Sequence, residues 1–360
     1  MIKFKLSIFL LILSFQFYHL QAQNKKSKPP KNIIFLIGDG MGLSQISAGM
    51  VYREGDLNLA RFKRVGFSKT QSSDNFITDS AAGATAFSIG EKTYNGAIGL
   101  DSLKKRKPTI LEIAESNGLS TGLVATCAIT HATPASYIAH QPSRRMNEEI
   151  AYDFTKTDVD VVIGGGKHYF ETRKDGINLL DTLRNKGYEV VDSTVDFTKL
   201  TSSKFYAFSN NYHVPSMKDG RGSFSEKASL KAIDVLSKNK KGFFLMIEGS
   251  QIDWGGHDND ADYIAREMVD FDITIGKVLD WAEKDGNTLV VITADHETGG
   301  FALDSGSIKN KFIKGAFTSK EHTGTMVPVF AYGPGADEFT GIYENNKIFH
   351  KMIRLFRFKK

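Results

Sequence analysis

The feature that most constrains the fold is a series of near-continuous apolar runs, separated by stretches with helical periodicity. Strands buried on both faces of a sheet have this composition. Their alternation with helices predicts a doubly wound α/β sheet. The predicted strands are residues 32–37, 120–126, 159–163, 188–191, 242–247, 287–293 and 327–331. The predicted helices are 81–88, 109–116, 147–156, 176–186, 226–238, 261–285 and a basic C-terminal helix within 345–360, while 199–222 is predicted to be irregular.

Composition limits the class of protein. The chain has 360 residues, of which 41% are hydrophobic and 24% charged, as in ordinary globular proteins. The formal net charge is +5, and no basic stripe interleaved with aromatics is present, so no nucleic acid is predicted as an obligate partner. The one cysteine, Cys127, excludes an intrachain disulfide and a zinc cluster built from cysteines.

Residues 1–22 have the pattern of an export signal. Lys3 and Lys5 precede an apolar run, and Ala22 offers a small residue for cleavage. The apolar run is shorter than the ~20 residues of a membrane-spanning helix, and no cysteine lies at the cleavage position, so no membrane anchor is predicted. We therefore expect a periplasmic or secreted protein in which 23–31 is a leader and 32–360 a single domain.

Four predicted strands run into side chains that can bind a metal. These segments are Gly38-Asp39-Gly40, Thr130-His131-Ala132-Thr133, Glu248-Gly249 and Ala294-Asp295-His296. Ligands gather beyond the carboxyl ends of the strands in such sheets. One ending of this kind is usually a cap or a turn, whereas four at one sheet edge predict a metal site.

Further candidates flank these strand ends. Asp253 and His257 are spaced to share one face of a helical turn, and a carboxylate with an imidazole suits zinc. His322 precedes the last predicted strand and is another candidate ligand. Ser80 opens a helix of small residues and is either an N-cap or a nucleophile that a metal activates. Arg144 is a candidate for phosphate binding because a planar guanidinium holds two oxygens at once, although alone it reads as a surface residue.

Together, these motifs resemble the alkaline phosphatase family. They occur in the family's order and span nearly the whole chain after residue 31. The resemblance implies a three-layer α/β/α sandwich around a large, mostly parallel sheet, with at most a small crown insertion between His296 and His322. It also implies hydrolysis of phosphate monoesters to an alcohol and inorganic phosphate through a phosphoserine on Ser80. A homodimer is the family's usual assembly, and the short stretch between the two histidines weakens that inference here.

The resemblance further implies two zinc ions and one magnesium ion as cofactors. Asp253, His257 and His322 would hold the first zinc, and Asp39, Asp295 and His296 the second. Asp39, Thr133 and Glu248 would hold magnesium. Arg144 would bind the phosphoryl oxygens, oriented by Asp79.

Two positions depart from the best-known bacterial members. His131 stands where they have an aspartate near magnesium, and Trp254 stands where they have a lysine next to the substrate phosphate. The loss of an acid should weaken the preference for magnesium, and the loss of a cation should loosen phosphate binding. A phosphodiesterase of the same superfamily and a non-catalytic zinc- or phosphate-binding protein remain open as alternatives. The surroundings of Cys127 do not fit a sulfatase motif.

Overall fold

The computed structural model describes residues 28–358, so the predicted signal at 1–22 lies outside it, as does most of the leader. Ten strands form one sheet in the order β14-β2-β13-β8-β1-β7-β3-β4-β6-β5. Their bounds are β1 Asn32–Gly38, β2 Arg64–Lys69, β3 Ser120–Ala128, β4 Val161–Gly165, β5 Glu189–Asp192, β6 Phe205–Phe208, β7 Phe243–Gly249, β8 Thr288–Thr293, β13 Val327–Tyr332 and β14 Gly341–Glu344. Among the described strands of this sheet, β13 runs against its neighbours and the other pairings are parallel.

Two small antiparallel pairs lie outside the large sheet. One pairs β9 (Glu297–Thr298) with β12 (His322–Thr323), and the other is a hairpin of β10 (Phe301–Ser307) and β11 (Phe312–Phe317). The helices are α1 Leu43–Tyr52, α2 Ser80–Ile89, α3 Ile110–Ser116, α4 Ala132–Ala135, α5 Asn147–Phe154, α6 His168–Glu171, α7 Leu179–Asn185, α8 Phe224–Leu236, α9 Ile252–His257, α10 Ala261–Asp285 and α11 Lys347–Phe356. None of the helices within 28–358 has the length and apolar character needed to cross a bilayer.

The sheet separates two hydrophobic cores. Along β1, Ile33 and Phe35 belong to one core and Ile34 and Leu36 to the other, because successive side chains point to opposite faces. Helices α2, α3, α5, α7 and α11 cover the first face, and α1, α8 and α10 cover the second. The fold is therefore a three-layer α/β/α sandwich, and the predicted class is confirmed.

The predicted strands and helices within 28–358 all appear. The helix 261–285 has the predicted ends, and the ends of the others are shifted by a few residues. The prediction that 199–222 is irregular is wrong for residues 205–208, which form β6 and are buried between β4 and β5, whereas 209–222 has no strand or α-helix. Elements β2, β14, α1 and the β10–β11 hairpin were not predicted. Strand β2 has the sequence Arg-Val-Gly-Phe-Ser-Lys with exposed ends, so it carries no apolar run.

A partly buried acid near the start of β3, at the end of the sheet away from the predicted metal site, gives a pH-dependent prediction. Glu115, near the end of α3, accepts a hydrogen bond from the Thr121 hydroxyl at 3.0 Å. Burial raises its pKa from 4.5 to about 7. The folded protein therefore holds a proton that the unfolded chain releases, and stability falls as pH rises through this window. We expect Glu115→Gln to gain about 2 kcal/mol relative to wild type between pH 5 and pH 8.

Glu112 on the same helix is the matched control for this change. Burial opposes ionisation there, but hydrogen bonds from His140 and the Thr109 backbone lower the pKa of Glu112. A depressed acid stabilises the fold above its unfolded pKa and loses that contribution as pH falls through its folded pKa. Glu112→Gln should therefore destabilise the protein by a nearly constant amount between pH 5 and pH 8. Thermal unfolding of both variants at several pH values is the measurement. Equal pH profiles for the two variants would contradict the assignment.

Candidate active site

The metal-competent strand ends meet at one edge of the sheet. Strands β8, β1, β7 and β3 are consecutive neighbours, and they lead to Asp295, Asp39, Glu248 and His131 respectively. Glu248 lies on β7 itself, paired with Ile37 of β1. The structure therefore brings together the four segments that the sequence singled out.

Asp39, Asp295 and His296 form a fully buried cluster. It is called the second set here, after the second zinc that the family resemblance implies for these residues. Nε2 of His296 lies 3.5 Å from Oδ1 of Asp39 and 3.2 Å from Oδ2 of Asp295. The backbone N–H groups of Gly40 and His296 donate to Oδ1 of Asp295, at 3.2 and 3.0 Å. Gly40 has a φ of +73°, and a Cβ there would lie 2.7 Å from the Cα of Asp253, so a glycine is required for the turn to approach the site.

Asp253, His257 and His322 form a neighbouring cluster, the first set. Nε2 of His257 and of His322 lie 3.4 and 3.6 Å from Oδ1 of Asp253. The Nδ1 atoms are held by backbone carbonyls, that of Thr78 at 2.9 Å for His322 and that of Lys320 for His257. An Nδ1–H that donates to a carbonyl leaves Nε2 with its lone pair facing the carboxylate, which suits a metal ligand.

Thr298 joins the two sets. Its hydroxyl donates to Oδ1 of Asp253 at 2.5 Å and lies 3.2 Å from Nδ1 of His296. Thr298 was not predicted as a site residue, because a threonine within a short strand carries no local sequence signal. It is placed to orient one ligand of each set.

Buried oxygens without partners show that the residues fit divalent cations. Among residues 28–358, both carboxylate oxygens of Asp39, Oε1 of Glu248, Oγ1 of Thr133 and Oδ2 of Asp295 are buried and have no hydrogen-bond partner. Burial and the nearby Asp295 charge raise the pKa of Asp39 well above its usual value, and burial raises that of Glu248 to about 7. Buried, unpaired carboxylates are costly unless a cation neutralises them. The clustered oxygens and imidazoles therefore provide suitable positions for bound metals.

Ser80 begins α2 and is 1% exposed. The preceding residue, Asp79, caps the helix by accepting from the Ala82 N–H at 2.9 Å, so the Ser80 hydroxyl is not needed as a cap. Instead, Oγ of Ser80 lies 3.2 Å from Nε2 of His296, beside the second set. A Cβ on Gly83 would lie 3.0 Å from that of Asp295, which explains the small residues in this helix.

Arg144 lies over the same end of α2. Its Nη1 donates to Oδ2 of Asp79 at 3.1 Å, and its Nη2 lies 3.4 Å from Nε2 of His131. Asp79 thus caps the helix with one oxygen and holds Arg144 with the other. The guanidinium lines a cavity of about 500 Å³ together with Asp79, His131, His213, His257 and His322.

Two residues that the sequence did not single out, His213 and Arg145, also line this cavity. His213 accepts from the Ala128 N–H at 3.2 Å, and its ring lies 4.8 Å from that of Trp254 and 5.8 Å from that of His131. Trp254 also packs edge-on against His131 at 6.1 Å. His213 has no carboxylate next to it in sequence, and Arg145 has the sequence pattern of a surface arginine, so only tertiary structure identifies them.

Cys127 is a further residue that the sequence did not place in the site. Its Sγ is buried and lies 3.3 Å from Oε2 of Glu248. Ligand atoms of Cys127, His131 and Glu248 all lie within 4.8 Å of one another. The residue occurs inside an apolar strand, where a cysteine usually serves as a small hydrophobe.

Comparison with known proteins identifies the family. The model of the family described as alkaline phosphatase matches residues 30–315 and 310–357. Alkaline phosphatase 4 of Bacillus subtilis is 36% identical over 90% of this chain and 88% of its own length. The alkaline phosphatase of Escherichia coli is 32% identical over 90% of this chain and 86% of its own.

Solved structures agree with these relatives. The alkaline phosphatase from the Antarctic bacterium TAB5 superposes with a TM-score of 0.89 at 47% identity, over 93% of this chain and all of the other. An enzyme from Shewanella gives a TM-score of 0.85 at 30% identity over 91% of this chain. Fold, length and sequence therefore agree along nearly the entire described chain. The chain belongs to the alkaline phosphatase family and is a metal-dependent phosphatase.

Proposed function

We propose that this protein hydrolyses phosphate monoesters to an alcohol and inorganic phosphate through a phosphoserine on Ser80. The observation that carries the proposal is the position of the Ser80 hydroxyl, at the N-terminus of α2 and 3.2 Å from Nε2 of His296. The N-terminal end of a helix favours an anion such as a phosphoryl group. Arg144, held by Asp79, supports a substrate with two free phosphoryl oxygens.

We propose zinc ions for the first and second sets and magnesium for the oxygen set, which consists of Asp39, Thr133 and Glu248. Imidazoles with carboxylates suit zinc, whereas an all-oxygen set suits magnesium. A His-to-Asp mutant of the TAB5 enzyme has magnesium bound in its M3 site, which supports a magnesium position in this family. When bound, the metals would lower the pKa of coordinated hydroxyl groups and neutralise charge during phosphoryl transfer.

The chain's own residues would position the phosphoryl group and the attacking hydroxyl. The two terminal nitrogens of Arg144 would each hold a phosphoryl oxygen, while Asp79 keeps the guanidinium in place from the side. Oγ of Ser80 would attack phosphorus as the P–O bond to the leaving alcohol breaks, and the proton of the serine hydroxyl passes to solvent. The leaving oxygen keeps the electron pair of the broken bond and takes up a proton to give the alcohol. Water would then attack the phosphoserine, releasing phosphate and restoring the Ser80 hydroxyl. Phosphoryl transfer depends chiefly on such positioning and charge neutralisation.

Phosphate release from an aryl phosphate monoester, compared with an aryl phosphodiester, tests the proposal. Purified protein with zinc and magnesium present should turn over the monoester with a much higher kcat/KM than the diester. The reverse ratio would favour the phosphodiesterase alternative. Phosphate binding with no turnover of either ester, in fully metallated protein, would favour a binding protein.

His131 and Trp254 give a prediction about magnesium and product. We expect Trp254→Lys to strengthen inhibition by phosphate about five- to tenfold, since a cation near the phosphate adds about 1 kcal/mol. We expect His131→Asp to lower the magnesium concentration needed for full activity, because hard cations prefer oxygen. The controls Trp254→Phe and His131→Asn alter the ring without adding charge. Unchanged phosphate inhibition and unchanged magnesium dependence in both charged variants would contradict the prediction.

We further propose that the protein is exported and functions in the periplasm or outside the cell, as a dimer of identical chains. The export pattern at 1–22 and the exported bacterial enzymes of this family support the first part. Fractionation of cells and the mass of the purified protein in solution test the two parts separately.

A further inference from the structure

The end of β3 places a thiol next to the oxygen set. Sγ of Cys127 is buried and lies 3.3 Å from Oε2 of Glu248, a residue that the proposed magnesium position uses. Pairing between β3 and β4 is irregular between Val124 and Ala128, so the chain departs from a regular strand around this cysteine. The thiol is therefore in contact with a group proposed to bind a cation.

Two further side chains near Cys127 have atoms that can bind a metal and that make no hydrogen bond within residues 28–358. Nδ1 of His131 is buried and has no hydrogen-bond partner within residues 28–358, while its Nε2 lies near Arg144. Glu248 accepts from the Ser250 hydroxyl at 2.7 Å through Oε2, but its buried Oε1 has no partner in the same range. Together with Sγ of Cys127, these residues form a group whose ligand atoms lie within 4.8 Å of one another.

We propose that Cys127, His131 and Glu248 form an additional cation position that takes Zn²⁺ or Co²⁺ in preference to Mg²⁺. A sulfur and an imidazole ligand favour these borderline cations, whereas magnesium prefers oxygen and would keep to Asp39, Thr133 and Glu248. Because both positions use Glu248, the two kinds of cation compete. Binding replaces the thiol proton of Cys127, which passes to solvent.

The competing interpretation is that Cys127 only fills space and donates a weak hydrogen bond. The thiol also donates a hydrogen bond to the carbonyl oxygen of Ala128 at 3.2 Å. That interpretation gives the thiol no contact with a metal under any loading. A spectroscopic signature of a metal–sulfur bond separates the two, independently of activity.

Cobalt loading of the enzyme without its predicted export signal tests the proposal. Resident metals are removed with a chelator, Co²⁺ is added to saturation and counted by elemental analysis, and near-ultraviolet absorption is recorded. Cys127 is the only cysteine in the chain, so a thiolate-to-cobalt charge-transfer band has a single source. We expect this band in wild type and its absence in Cys127→Ser. We also expect Cys127→Ser to reduce the preference for Co²⁺ over Mg²⁺ by at least about tenfold.

Competition and a second variant keep the test decisive if Cys127→Ser folds poorly. Added Mg²⁺ should diminish the band in wild-type protein, and His131→Gln, which keeps the thiol but removes Nδ1, should require more Co²⁺ to produce it. Saturating cobalt with no band would overturn the proposal, and a band insensitive to Mg²⁺ would overturn the sharing of Glu248. The inference rests on the proposed function for the identity of the oxygen set. Turnover of an aryl phosphate by the same samples distinguishes failure of this inference from failure of the proposed function. Turnover without the band rejects only the cation position at Cys127. The band without turnover rejects only the phosphatase mechanism.

Discussion

Replacing Ser80 with alanine is expected to lower the turnover of an aryl phosphate by at least about 10³-fold. The variant lacks the oxygen that would form the bond to phosphorus. The change removes a side chain that is 1% exposed and touches Nε2 of His296, so the fold should tolerate it. Residual turnover would come from direct attack by water.

The same variant should still bind phosphate. Arg144 and its partner Asp79 are untouched, as are both proposed zinc sets, so inhibition or protection by phosphate should persist while turnover is lost. This separation of binding from chemistry distinguishes a nucleophile from a residue that only shapes the cavity. Steady-state turnover and phosphate binding, measured on the same preparation, provide both readouts.

Ser88 offers a matched control on the same helix. It is also buried, and its hydroxyl donates to the Thr85 carbonyl at 3.2 Å, away from the metal sets. Ser88→Ala should therefore change turnover by less than about threefold, although it too removes a buried hydroxyl from α2. Comparable losses in the two alanine variants would contradict the assignment of Ser80 as the nucleophile.

The sequence predicted the centre of the sheet better than its edges. Strands such as β1 and β7 are buried on both faces, so they appear as uninterrupted apolar runs. The strands next to the two edge strands lack this pattern. Strand β2 exposes Arg64 and Lys69, and β6 is a four-residue run inside a polar stretch, so neither could be separated from a loop by local pattern.

The same distinction applies to the site residues. Those at the ends of recognisable strands could be predicted from the sequence, whereas those defined by tertiary contacts could not. Asp39, Glu248 and Asp295 could be predicted because each lies at the end of a recognisable strand, and strand ends converge. Cys127 and His213 could not, since their role depends on which side chains lie across the sheet edge. The sequence left Ser80 open between cap and nucleophile, and the structure gives the capping bond to Asp79 instead.

Removing the divalent cations should abolish turnover and lower the unfolding temperature. Four carboxylates, those of Asp39, Glu248, Asp253 and Asp295, are buried at one edge of the sheet. Bound cations offset their repulsion and desolvation, and each site saturated a thousandfold above its Kd adds about 4 kcal/mol to the free energy of unfolding. We therefore expect stripped protein to lose at least about 10³-fold in turnover and to unfold several degrees earlier.

The stripped protein should also respond to pH in a defined direction. Burial raises the pKa of Glu248 from 4.5 to about 7, and the hydrogen bond with Asp253 raises that of His257 from 6.5 to about 9. Both groups bind a proton more tightly when folded. The lowered pKa values of His131 and His322 oppose this trend below about pH 6.5, so stability should fall as pH rises from about 6.5 to about 9. Bound cations replace those protons, so loaded protein should be stabilised most at the alkaline end of this range.

Thermal unfolding across that pH range, with and without a chelator, checks this prediction. A chelator saturated beforehand with zinc is the control for effects unrelated to metal removal, and returning zinc and magnesium should restore both turnover and unfolding temperature. Elemental analysis must show that the cations are gone. If metal-free protein keeps its turnover, or if the stabilisation by cations is greatest at acidic pH, then the buried carboxylates are not held by metals in the way their unpaired oxygens indicate.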